Sequence, residues 1–259
     1  MNILDLPLWA VALVIITGGA VLGVVLVYGL DLFVKSHRGE EYNSVVSDGF
    51  QAVGTIYAIV TGLLVFAVYT NFQDAYHQSA EEASTLVLMY RNAHHFPQPQ
   101  KDQAQQAILA YVHSVMDDEW PALGEGKGSP ETAKAINHLF DVYNPMVPEA
   151  GWADQYTRSI DDLGDVVKLR NQLIDDSAAS LSPIYWFVLF AGAFINVLYV
   201  ALAYVEKKAM HALAVGLMAV MLSLVIFLLL EVNHPFHGKI AVSKQAFENA
   251  LINMSQVSS

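Results

Sequence analysis

The stretch that most limits what this chain can become runs from Phe50 to His95. It opens as an apolar segment, FQAVGTIYAIVTGLLVFAVYTNF, and continues into QDAYHQSAEEASTLVLMYRNAHH; after Gly62 neither glycine nor proline occurs until Pro97. A helix begun at Phe50 meets no stop signal for about 46 residues, which at about 1.5 Å per residue is roughly 70 Å. The hydrocarbon core of a bilayer takes only about 30 Å of that. The remainder is expected to stand out of the membrane as a stalk. In the membrane half, Gly54, Ala58 and Gly62 recur every four residues, a small-residue face that lets another helix approach closely. In the stalk half an apolar stripe runs through Phe72, Tyr76, Ala80, Ala83, Val87 and Tyr90, with Glu81, Glu82 and Arg91 beside it.

Four charge-free apolar runs, Leu8–Leu30, Phe50–Thr70, Ile184–Val205 and Ala209–Leu230, place the chain among polytopic membrane proteins. A charge at the centre of a spanning helix costs about 2.5–3.5 kcal/mol, so runs this clean mark spans rather than buried soluble helices. The first run lacks a basic region before it and is too long for a signal peptide, so it reads as a retained span. No cysteine is present, which excludes disulfides and thiol chemistry.

Between the second and third runs the composition changes. Residues 71–181 hold 17 Asp/Glu against 7 Lys/Arg. Nucleic acid needs a basic footprint and is excluded as a partner. The segment is either an ordinary acidic helical domain or a vestibule whose field concentrates cations, with Glu81 and Glu82 as the vestibule candidates. FPQPQ breaks the stalk. Helices are expected at Lys101–Trp120, from the Ser129 cap and Pro130 to Asn144, and at Asp154–Ser180. The fold class is therefore all-α: four spans with a helical extramembrane domain between spans two and three. The expected division is a transmembrane hairpin at 1–70, the acidic helical domain at 71–181, a second hairpin at 182–232 and a C-terminal interfacial helix at 233–259. Along that last helix Phe247, Leu251 and Met254 share one face, expected to lie along the membrane surface or to pack on a neighbour.

No catalytic signature is present: no nucleophile elbow, P-loop, HExxH or paired acid of recognisable spacing. An enzyme is not expected, and no cofactor is implied. His77 with Glu81, His94 with His95, and His234 with His237 are only pairs, whereas a metal needs three or four converging ligands. No metal site is assigned. Polar residues within the spans carry more information, because lipid penalises them. Thr55, Thr61, Tyr69 and Thr70 belong to the second span, Asn196 to the third and Ser223 to the fourth. One reading is interhelical hydrogen bonding, worth about 0.6 kcal/mol each. The other is a pore lining on the second span, with Thr55, Ala58, Thr61, Gly62, Tyr69 and Thr70 as candidates. Gly19 and Gly23, with Gly54, are the helix-packing candidates.

GLLVFAVYTNFQDAY, the following EEASTLVLMYR, and NHPFHG after the last span resemble a bacterial family of membrane proteins described as bestrophin-like. The resemblance covers nearly the whole chain and includes an exit motif at His234, Pro235, Phe236 and Gly238. It implies a homo-oligomeric ion channel lined by the second span, with anion- and cation-passing members. It also implies cytoplasmic termini and a cytoplasmic helical domain. The Lys and Arg pattern points the other way: Lys35, Arg38, Lys207 and Lys208 mark two cytoplasmic turns, which puts the helical domain in the periplasm. On these charges the helical domain is expected in the periplasm. Two functions are thus carried forward for a protein of the bacterial inner membrane. One is a homo-oligomeric small-ion channel; the other is a non-conducting accessory subunit whose helical domain docks a partner protein.

Overall fold

A computed structural model describes residues 7–33, 40–238 and 240–257. Lys35, His37, Arg38 and Lys239 lie outside the described residues. The elements are helices α1 (Leu8–Phe33), α2 (Glu40–Ala93), α3 (Gln100–Ser114), α4 (Trp120–Gly124), α5 (Pro130–Tyr143), α6 (Ala153–Ala178), α7 (Pro183–Leu202), α8 (Lys208–Val232) and α9 (Gln245–Val257). A π-helical turn, Val115–Glu119, joins α3 to α4. Among the described residues there is no strand. α1, α2, α7 and α8 are long and apolar enough to cross a membrane, so the protein is an all-α, four-span membrane protein with a helical domain between spans two and three.

The chain divides into two compact units: Met1–Tyr69 with Leu181–Asn233, and Thr70–Ser180 with His234–Ser259. In the first unit α1 lies along α8. The contact is close because two glycines leave room for it. A Cβ on Gly19 would fall 2.1 Å from the Ser223 Oγ, and one on Gly23 would fall 3.2 Å from the Val215 carbonyl. An ion pair between Asp31 and Lys208 joins the far ends of the same two helices. α2 packs on α7 by a different device. Tyr57 fills the notch at Gly192, where a Cβ would stand 2.3 Å from its ring, and donates a hydrogen bond to the Leu189 carbonyl at 3.2 Å. The backbone between spans is held by side-chain amides. Asn43 brackets Tyr204, accepting from its N–H at 2.8 Å and donating to its carbonyl at 3.0 Å. Asn233 accepts from the Leu181 N–H at 2.9 Å.

In the second unit α3, α5, α6, α9 and the C-terminal half of α2 enclose a core containing Leu86, Met89, Ile108, Tyr111, Leu139, Tyr143 and Leu163. α5 begins as its sequence dictates: the Ser129 Oγ accepts from the backbone N–H groups of Glu131 and Thr132, and Pro130 follows at the first position.

Four expectations need correction. α2 begins at Glu40, ten residues before Phe50, because EEYNSVVSDG contains no breaker until a single glycine that a long helix absorbs. Lys101–Trp120 is not one α-helix; the π turn widens it and brings both Val115 and Glu119 to the core side. The buried face of the stalk is broader than the expected stripe: Ala83 and Tyr90 are buried as expected and Val87 packs against the core, but Ala75, Ser79, Glu82, Leu86, Met89 and Ala93 are buried beside them and Tyr76 is half exposed. Finally, α9 is not interfacial: of its two expected placements the structure shows packing on a neighbour, with Phe247, Ala250 and Met254 buried in the core of the second unit.

Candidate functional site

The polar and small residues of α2 fall into an open groove of about 720 Å³ within the first unit. Its floor on α2 runs through Gln51, Gly54, Thr55, Ala58, Thr61 and Gly62. This follows from helical spacing, since residues three and four apart stack on one face. α7 contributes Asn196, and α8 contributes Met218, Leu222 and Val225. Thr55 directs its hydroxyl to its own helix, donating to the Gln51 carbonyl at 2.7 Å. Asn196 is buried and donates to the Gly192 carbonyl at 2.8 Å, while its Oδ1 stands 3.2 Å from where a Cβ on Gly54 would lie. Lengthwise the glycines differ. Gly54 is pressed against Asn196, but a Cβ on Gly62 would meet nothing within 4 Å. The small-residue face is therefore closed at one end and open at the other.

The structure thus gathers Thr55, Ala58, Thr61 and Gly62 with Gly54 in one groove, Thr61 being buried at its base. Tyr69 and Thr70 are not among its lining residues; Tyr69 is exposed and Thr70 half-buried. Gly19 and Gly23 face α8, and Gly19 also lines a smaller apolar cleft of about 310 Å³ among α1, α7 and α8.

The vestibule pair separates. Glu81 is exposed, but Glu82 is 1% exposed and accepts a hydrogen bond from the Tyr111 hydroxyl at 2.7 Å. Neighbouring positions on a helix point about 100° apart, so only one of two consecutive acids can face water when the other faces a core. Glu82 is a core residue and not a vestibule lining. Burial pushes its carboxyl up to about 8 from an ordinary 4.5.

The exit motif forms a buried clamp in the second unit. Phe236 packs edge-on to Trp120 with ring centroids 5.3 Å apart, and the Pro235 carbonyl accepts from the Val242 N–H at 2.8 Å. Gly238 adopts φ +102°, which a side chain would disfavour. Half burial, then the neighbouring His237, holds the His234 imidazole below its usual range. Sequence reasoning missed the Tyr57–Gly192 notch and the Asn43 and Asn233 brackets. A glycine opposite an aromatic one helix away leaves no local pattern to read; the asparagines at helix ends were the available signal.

Fold and groove define a four-span helical membrane protein with a face of small residues on its longest helix. The Bestrophin-like domain matches residues 17–247, and the chain belongs to that family. Solved structures of low sequence identity share the fold. A bacterial bestrophin homologue from Klebsiella pneumoniae matches with a TM-score of 0.73 at 10% identity, covering 95% of this chain and 98% of that one. A point variant of such a homologue from the same organism gives 0.71 at 13% identity, covering 96% and 99%. A further crystal structure, described as a membrane protein, gives 0.73 at 11% identity, covering 96% and 98%. No curated protein matches the sequence.

Proposed function

We propose that the protein is a homo-oligomeric channel for small ions, lined by α2 and seated in the bacterial inner membrane. The observation that carries this reading is the open groove on α2, whose small and hydroxyl-bearing face reaches Gly62, where a Cβ would meet nothing within 4 Å among the described residues. In a closed cyclic assembly the helix nearest the axis must accept water or a dry constriction. Membership of the bestrophin-like family supports the reading, since bestrophins are ion channels. Channel function needs neither a cofactor nor catalysis. On the charge argument the acidic unit faces the periplasm, and exposed Glu81 raises the local cation concentration.

The test is reversal potential in a planar lipid bilayer under a salt gradient. A cation preference that weakens in Glu81→Gln is expected. An anion preference would overturn the cation assignment. A well-folded oligomer that never conducts would replace the channel with the accessory-subunit reading, in which the extramembrane unit docks a partner protein.

A further inference from the structure

Four polar side chains meet inside the second unit, where helix packing otherwise calls for apolar groups. Glu82 comes from α2, Tyr111 from α3, Glu119 from the π turn and Arg170 from α6. The cluster holds two carboxyls and one guanidinium, whose Nη2 is turned to Glu119 while its Nε is buried without a hydrogen-bond partner among the described residues. The Arg170 Nη2 stands 2.9 Å from one Glu119 oxygen and donates to the other at 3.1 Å. The Ser129 N–H also donates to that second oxygen at 2.8 Å, and Nη2 reaches the Ser129 carbonyl at 3.2 Å. Glu119 therefore has a cation and a backbone donor. Glu82, 1% exposed, has the neutral Tyr111 hydroxyl at 2.7 Å. One neutral hydrogen bond does not offset the desolvation of a buried carboxylate, and such a group neutralises instead.

We infer that Glu82 is a proton-binding site built into the core of the extramembrane unit, its carboxyl protonated while α2 is packed on α3 at neutral pH. Burial is the largest influence on this carboxyl. The Tyr111 hydrogen bond opposes burial, Glu119 adds to it and Arg170 opposes it, leaving the group at about 8. The same burial, and the adjacent Glu82, push the Tyr111 phenol well above its ordinary 10.0, so Tyr111 remains a donor throughout. The linkage has a definite sign. The unfolded chain releases this proton near the ordinary 4.5, whereas the folded unit keeps it until about 8. Across that window the folded state binds one proton more, so stability is greatest below it, falls as pH rises through it, and levels off above.

The experiment uses the full chain in detergent. Infrared spectra at neutral pH should show a protonated-carboxyl carbonyl band that disappears at alkaline pH and is missing from Glu82→Gln. Denaturant unfolding should show the folding equilibrium constant falling up to about tenfold per pH unit across the window, relative to Glu82→Gln. Should that variant fail to fold, Tyr111→Phe keeps the carboxyl and removes its donor, and its band should persist to higher pH than in the parent. A band absent from the parent at neutral pH, or equal pH slopes in parent and Glu82→Gln, would overturn the site.

Discussion

Single atoms decide much of this molecule's packing, and the glycines of α1 make the point. Gly18 and Gly19 are adjacent, yet a Cβ on Gly18 would meet nothing within 4 Å while one on Gly19 would strike Ser223 at 2.1 Å. Gly19→Ala should lower stability by about 1–3 kcal/mol through overpacking, whereas Gly18→Ala should be neutral or slightly favourable. Thermal unfolding of the two variants in one detergent checks the contrast; equal effects would mean that α1 does not lie against α8 at this register. The Glu119–Arg170 pair supplies a second residue-scale expectation. Both side chains are largely buried, so Arg170→Met strands a carboxylate and should cost about 3–5 kcal/mol. Denaturant titration measures it, and a loss near zero would show that water reaches the pair.

Helices were legible where the chain supplied long apolar periodicity and explicit punctuation. The spans, the Ser129–Pro130 start and the inward side of α3 follow from local pattern alone, and Ile108, Tyr111, Val112 and Val115 are buried as their spacing predicts. Phase was less legible than existence. On α2 the apolar stripe marks Ala83 and Tyr90 correctly, but the burial of Ala75 in place of Tyr76 is set by its neighbours Leu123, Leu173 and Phe236 rather than by hydrophobicity. The buried face is wide enough to take in Glu82 beside the expected Ala83. The same limit applies to the groove: polarity marked Thr55 and Thr61, but only the path of α7 decides that Gly54 is closed and Gly62 open. The exit after α8 is a prediction at this scale. Phe236→Ala removes the ring that Trp120 packs against and should cost about 3–5 kcal/mol, visible as earlier unfolding of the full chain. An unchanged midpoint would show that the clamp is dispensable.

At the scale of the whole molecule, the family and the four-span fold are established, and conduction through α2 is the central proposal. The chain's lack of cysteine makes that proposal unusually easy to probe, because a single introduced thiol is the sole target for a water-soluble reagent. Gly62 is the position to choose, since a Cβ there meets nothing within 4 Å among the described residues and the substitution should leave the fold intact. The decisive measurement is bilayer current through Gly62→Cys before and after a charged methanethiosulfonate reagent is added. A pore lined by α2 predicts that modification cuts the current severalfold and that reducing agent restores it, with the unmodified parent unaffected. A Gly62→Cys protein that conducts normally while its thiol is fully modified would contradict it, and would move the ion path away from this helix.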